Sequence, residues 1–281
     1  MRISVYSLSL RGLSPAEIVP LCRRYACDGI EWWCREDGHL DRNRLSASSA
    51  ELASLMKDSG MAVAGIAPYF TYDESRDTIA PLCEAAAALG TREIRCHSYP
   101  YDGTVPAAQL RQRQRRWLEE IVVPVVQEFN VRLNIEQHHG MICATPDACR
   151  ALVDGLPRAH IGIIYDPGNS LNEGYTSPAY ALDVIGPYLA HVHVKSAAQG
   201  AGKPPAGRRH PLAYGPLASG DLDWPLIVSL LASRGYGGFL SLEDLDGRVP
   251  EQKMADDIPY LQTIVRSAKK GGCDGAHRGS R

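Results

Sequence analysis

Four acidic or imidazole side chains stand at the ends of four apolar segments in the second half of the chain. Glu136 ends the segment 131–136, Asp166 ends 160–166, His193 lies near the end of 189–195, and Glu243 ends 237–243. Three carboxylates and one imidazole form an oxygen-rich ligand set that suits a divalent cation. We therefore expect these four residues to form one metal site.

The alternation of side chains along these segments indicates that all four are β-strands. Between residues 131 and 136 apolar and polar side chains alternate, which is the period of a strand. The other three segments have the same parity, so each ligand candidate lies opposite the Val, Ile or Leu side chains that would pack against helices. The four candidates are then expected to point to one common side.

Strand patterns and helix patterns alternate along the whole chain, eight of each, which predicts a single-domain (β/α)₈ TIM barrel of the α/β class. We expect the barrel to span residues 1–269, followed by a disordered tail at 270–281. A polar, Gly- and Pro-rich insertion at about 197–220 is too long for an ordinary connection and is expected to form a lid. Active sites of such barrels lie at the carboxyl ends of the strands, where the four ligand candidates would meet.

Five further residues are predicted to line this mouth and contact a substrate. Four of them have a structural alternative: a solvated loop for His138, a turn cap for Asn169, a salt bridge for Lys195 and a barrel plug for Trp33. The five are His97, His138, Asn169, Lys195 and Trp33. His191, one pleat below His193, is expected to hydrogen-bond rather than to bind the metal.

Composition excludes several other classes of protein. The formal net charge of −2 gives no general attraction to nucleic acid or anionic membranes. No run of about 18 apolar residues and no signal peptide occur, so we expect a cytoplasmic protein without a membrane partner.

The eight cysteines lack a C-x-x-C spacing and are expected to be reduced. Nucleotide-binding motifs are missing, and the expected partner is a small molecule, with a homo-oligomer possible.

The motifs around the ligand candidates resemble those of the xylose isomerase-like TIM-barrel superfamily of sugar (phosphate) isomerases and epimerases. They read IEQHHG, YDPGN, AHVHVK, GDLDW and GGFLSLE, and the resemblance begins at GIEWW in the second strand. It implies one divalent ion (Mn²⁺, Co²⁺, Mg²⁺ or Zn²⁺) held by the four residues above. It also implies an enzyme of carbohydrate metabolism that transfers protons through an enediolate, with Glu136 and Glu243 as the proton-transferring pair.

Three departures from the family's usual motifs leave the reaction open. Asn169 stands where ketose epimerases commonly have His, Ser196 follows Lys195 where many relatives have Asp, and residues 218–220 lack the usual acidic residue. The alternative is a metal-dependent dehydratase or lyase on a keto-sugar or keto-inositol. Abasic-site DNA cleavage would require a multi-metal cluster and a positive face. A non-catalytic binding protein would not need four complete ligands.

Overall fold

Eight parallel strands close into a barrel in the computed structural model, which describes residues 1–69, 72–200 and 211–275, with 199 and 270–275 as backbone only. The strands are β1 Arg2–Tyr6, β2 Gly29–Arg35, β3 Ala62–Pro68, β4 Glu93–Cys96, β5 Arg132–Glu136, β6 Ile161–Tyr165, β7 Leu189–Val194 and β8 Phe239–Leu242. Neighbours in sequence pair in parallel, and β8 pairs with β1 to close the barrel. The predicted TIM barrel is thereby confirmed.

Helices surround the barrel between successive strands. They are α1 Pro15–Arg24, α2 Leu45–Ser59, α3 Arg76–Ala88, α4 Ala107–Trp117, α5 Pro146–Val153, α6 Pro178–Ile185, α7 Trp224–Ser233 and α8 Pro250–Gly275. Local sequence fixes several ends: Glu17 accepts the Ser14 backbone N–H at 2.8 Å, Thr145 Oγ1 accepts from Ala148 N at 3.2 Å, and Gly60 closes α2 at φ 69°. Ser and Thr are preferred just before a helix, and Gly just after one.

The segment after α4 is helical but irregular. A π-helical turn, Leu118–Val122, leads into a further helix, Val123–Glu128. The sequence predicts an interruption at Pro124, and the irregular turn lies just before that residue. A proline has no N–H to donate and its ring crowds the preceding turn, so the chain widens there.

The apolar faces of the strands pack outward against the helices. Val192 and Val194 of β7 and Leu240 and Leu242 of β8 have no exposed surface and belong to the main core cluster. These residues alternate with the polar positions of the same strands. The polar side chains therefore point into the barrel, as the parity of the sequence predicts.

Two short strands of the insertion after β7 pair with each other: Ala197–Gln199 is antiparallel to Leu212–Tyr214. Residues 201–210, on which the predicted lid depends, lie outside the described residues. Helix α8 runs to Gly275, past the expected boundary at 269, and residues 276–281 of the expected tail also lie outside the described part. Among the described residues, none of the helices is long and apolar enough to cross a membrane.

Candidate active site

The four predicted ligands lie together at the carboxyl ends of β5 to β8. One ligand atom from each lies within 4.8 Å of all the others. His193 Nδ1 is 3.0 Å from Glu136 Oε1, 3.5 Å from Glu243 Oε2 and 3.7 Å from Asp166 Oδ2. All four side chains are at least 97% buried. The structure therefore brings Glu136, Asp166, His193 and Glu243 into one compact group, which we call the quartet.

Backbone contacts position the two carboxylates that follow a strand end. Asp166 comes directly after β6 and caps the short helix Pro167–Glu173, with its Oδ1 accepting the Asn169 N–H at 2.8 Å. Glu243 follows β8, and its backbone N–H donates to Val194 O at 2.8 Å, which extends the sheet by one residue. Both side chains are thus fixed by secondary structure rather than by a free loop.

Two side chains also bind Glu136 from a second side, Arg95 of β4 and His97 just after this strand. The Arg95 guanidinium donates to Glu136 Oε2 from Nε at 2.7 Å and also from Nη2, and His97 Nε2 lies 2.9 Å from the same oxygen. Burial alone would raise the pKa of Glu136, but Arg95 and His193 hold it well below its usual range. Burial and Arg95 lower the pKa of His97 to about 4, so its ring is neutral at neutral pH. Glu136 is therefore an anion with only Oε1 directed at the other quartet members.

Lys195 lies on the other edge of the quartet. Its Nζ is 2.8 Å from Asp166 Oδ2, contacts Glu243 Oε2, and is 3.3 Å from Asn169 Oδ1. Gly168 makes this possible, because a Cβ there would collide with Lys195 Cγ. Burial opposes the charge of Glu243, but Lys195 and His193 lower its pKa to about 2. Lys195 thus makes a salt bridge in the described geometry, and its contact with a substrate stays a prediction.

The charge balance of the described part of the site fits a divalent cation. Four buried carboxylates face two buried permanent cations, which leaves a formal charge of −2 before the histidines are counted. The carboxylates are Glu31, Glu136, Asp166 and Glu243, and the cations are Arg95 and Lys195. An uncompensated buried charge is costly, so oxygen donors of this kind suit a metal ion.

The remaining predicted substrate residues lie around this centre. Asn169 Nδ2 donates to Asp166 Oδ2 at 2.8 Å and to Gln137 O at 3.1 Å, so this amide holds the Asp166 carboxylate in place. The His138 ring lies 5.0 Å from the His97 ring. Trp33 is 3% exposed and packs in a small apolar cluster with Tyr6, and its indole N–H has no hydrogen-bond partner among the described residues.

The alternation of side chains along β2 and β4 predicts that Glu31 and Arg95 face inward, but it assigns neither a role. Glu31 Oε2 accepts from Ser241 Oγ at 2.6 Å and lies 3.1 Å from His191 Nε2 and 3.2 Å from His193 Nε2. His191 thus makes the hydrogen bond expected of it. A charged side chain that a strand directs into the barrel needs a partner of opposite charge or a hydrogen-bond partner. This requirement could have identified Glu31 and Arg95 as residues of the site.

Two further groups of ligand-type residues adjoin the quartet and share members with it. One consists of Glu31, His191 and His193, and the other of His97, Glu136 and His138. Since each group shares a residue with the quartet, the three groups form one continuous polar centre in the barrel mouth.

Comparisons with known proteins give one family and many similar folds. The family profile described as xylose isomerase-like TIM barrel matches residues 19–264. The probable 3-DHS dehydratase AsbF from Bacillus anthracis superposes with a TM-score of 0.74 at 19% identity, covering 93% of this chain and 99% of that one. The 3-keto-D-glucoside 4-epimerase YcjR from E. coli gives 0.73 at 19% identity, with 94% and 99% covered.

A xylose isomerase-like TIM barrel protein from Mycobacterium smegmatis, solved in complex with magnesium, gives a TM-score of 0.73 at 17% identity and covers 95% of this chain and 97% of its own. No curated protein matches the sequence. At such identities these similarities establish the fold, and the reaction has to be inferred from the site itself.

Proposed function

Because the chain belongs to the xylose isomerase-like TIM barrel family, we propose that it is a divalent-metal-dependent isomerase or epimerase of a sugar or related polyhydroxy ketone. The observation that carries this proposal is the quartet, with its ligand atoms within 4.8 Å of one another. The excess of buried carboxylates over buried permanent cations supports it. Glu136, Asp166, His193 and Glu243 would hold one Mn²⁺, Co²⁺, Mg²⁺ or Zn²⁺ ion.

A bound divalent ion would stabilise the negative charge of the enediolate that forms when a proton leaves the carbon beside a carbonyl. Among the chain's own groups, we assign removal of this proton to Glu243. Its carboxylate is ionised, and among the described residues the nearest permanent cation is Lys195, whereas Arg95 and His97 both bind Glu136. Glu136, on β5, is assigned to the other face of the substrate.

The substrate is held by the residues that surround the quartet. Lys195 would donate to a substrate oxygen, and His97 and His138 lie together where a hydroxyl could bind. Trp33 has an indole N–H without a hydrogen-bond partner among the described residues, and this N–H could bind a sugar hydroxyl. Asn169 keeps Asp166 oriented and has Oδ1 within reach of Lys195.

The alternative is a metal-dependent dehydratase on a keto-sugar or keto-inositol, and one feature favours it. Elimination needs a base for the C–H proton and a donor for the departing hydroxyl. The ammonium of Lys195 contacts Glu243, so a base and a proton donor stand side by side. The fold similarity to AsbF, whose name describes a dehydratase, agrees with this possibility.

One screen separates the two reactions. The protein is loaded with Mn²⁺, Mg²⁺, Co²⁺ or Zn²⁺ and incubated with ketoses, keto-inositols and their phosphates, and the products are analysed by NMR and mass spectrometry. We expect a stereoisomer or positional isomer of unchanged mass. A product lighter by one water would assign the dehydratase reaction. If the metal-loaded protein converts none of these compounds, the proposed substrate class is wrong.

A further inference from the structure

The geometry points to Glu31 as the positioning residue that orients His193 toward the metal, an inference that rests on the proposed metal-dependent function. Glu31 lies on β2 and His193 on β7, so the two residues meet across the inside of the barrel. Glu31 lies in the GIEWW segment and contacts the quartet through His193.

The two nitrogens of His193 face different partners. Nε2 lies 3.3 Å from Glu31 Oε1 and 3.2 Å from Oε2, while Nδ1 faces the oxygens of Glu136, Asp166 and Glu243. A histidine that binds a metal is neutral and carries one N–H, and the carboxylate of Glu31 would accept it at Nε2. The lone pair of Nδ1 then points at carboxylate oxygens, which only accept hydrogen bonds. A cation between Nδ1 and these oxygens satisfies all of them, and histidine ligands in proteins are commonly oriented in this way.

Glu31 is itself rigidly held, which an orienting group requires. Ser241 Oγ donates to Oε2 at 2.6 Å, and His191 Nε2 lies 3.1 Å from the same oxygen. The His193 ring is held as well, because it stacks on Tyr6 with ring centroids 5.9 Å apart and planes at 10°. These contacts hold both the carboxylate and the ring, and turning the His193 ring over would break its contact with Glu31.

The same three residues, Glu31, His191 and His193, could instead bind a second ion of their own. The Ser241 hydroxyl argues for the orienting role, because it donates to the oxygen that such an ion would need. The number of ions per chain separates the two cases.

The test compares Glu31→Gln with a matched control, Glu93→Gln. Glu93 lies at the start of β4 and is bound by Arg132 at 2.8 Å, away from the quartet. Affinity for Co²⁺ is measured by competition with a chromophoric chelator, together with the visible spectrum of the bound Co²⁺. We expect Glu31→Gln to bind Co²⁺ about 10- to 100-fold more weakly with a changed spectrum, and Glu93→Gln to match the wild type.

Unchanged affinity and spectrum in Glu31→Gln, with a metal-binding wild type, would overturn the inference and leave the proposed function intact. A wild type that binds no divalent ion would overturn both. Two ions per wild-type chain, falling to one in Glu31→Gln, would replace the orienting role with a second metal site. A measurement without any substitution completes the test: ¹H–¹⁵N NMR of the Zn²⁺-loaded wild type should find the His193 proton on Nε2, and a proton on Nδ1 would contradict the inference.

Discussion

Lys195 Nζ lies 2.8 Å from Asp166 Oδ2, within the same buried group of carboxylates that we propose to bind a divalent ion. The lysine charge thus offsets part of the negative charge of the site when no metal is bound. Its attraction to Asp166 and Glu243 raises the pKa of Lys195 even though burial acts in the opposite direction. The ammonium and a metal ion would share the same two oxygens, and their charges would repel each other.

We therefore predict that Lys195→Met binds divalent ions more tightly than the wild type, by about tenfold or more, because a nearby like charge is removed. The metal-free variant should also be less stable, since its carboxylates lose a counter-charge. Chelator competition and thermal melting measure the two effects. Lys253→Met is the control, because Lys253 is buried against Asp244 O at 2.9 Å, outside the quartet. Weaker metal binding by Lys195→Met would contradict this prediction and would mean that Lys195 strengthens metal binding.

Metal removal should destabilise the protein. A ligand that binds only the folded state adds about 2.7 kcal/mol at a free concentration 100 times its dissociation constant. We expect the melting temperature to fall on treatment with a chelator and to recover when Mn²⁺ or Mg²⁺ is added back. His193→Ala should show neither change and should contain little metal by elemental analysis. Equal metal content in His193→Ala and the wild type would remove His193 from the site.

The buried pair of Arg95 and Glu136 should matter far more for stability than an exposed pair. Both side chains of this pair are at most 2% exposed, whereas Arg76 and Glu128 are 51% and 53% exposed. Removing one partner of a buried pair costs about 3–5 kcal/mol, and exposed pairs contribute about 0–1 kcal/mol. Urea denaturation of metal-free Arg95→Met and Arg76→Met should reproduce this difference. Equal losses would show that Arg95 does not stabilise Glu136.

His39 gives a prediction on the pH dependence of stability. Its Nδ1 lies 2.9 Å from Ser7 Oγ and its Nε2 3.0 Å from Leu13 O, and burial lowers its pKa. The unfolded chain, with a histidine pKa of about 6.5, then takes up a proton before the folded chain does. This contribution to stability is complete above about pH 6.5 and is lost as the pH falls toward the lower folded-state pKa. Replacement by Gln should flatten the decline of melting temperature below pH 6.5. An identical slope in His39→Gln would contradict this.

The sequence was sufficient for the barrel and for the grouping of the quartet. Strand parity is a local property, and the fold places the ends of successive parallel strands at one rim, so Glu136, Asp166, His193 and Glu243 could be grouped without coordinates. The inward positions of Glu31 and Arg95 also followed from parity.

The partners of these inward charges could not be predicted, because they depend on which strands face each other across the closed barrel. Glu31 and His193 are 162 positions apart in the chain and belong to strands that do not pair. The ion pair of Lys195 likewise depends on the space left by Gly168 in the preceding connection. Such contacts follow from side-chain packing in three dimensions, and sequence spacing does not record them.

Proton exchange with solvent tests the central claim most directly. The metal-loaded wild type and Glu243→Gln are incubated in deuterated water with a ketose that the wild type converts, and NMR follows the carbon beside the carbonyl. The account predicts deuterium at that carbon with the wild type, and at least about 10²-fold slower exchange with Glu243→Gln although the variant still binds metal. Conversion by the wild type without any deuterium at that carbon, or undiminished exchange in metal-loaded Glu243→Gln, would contradict it.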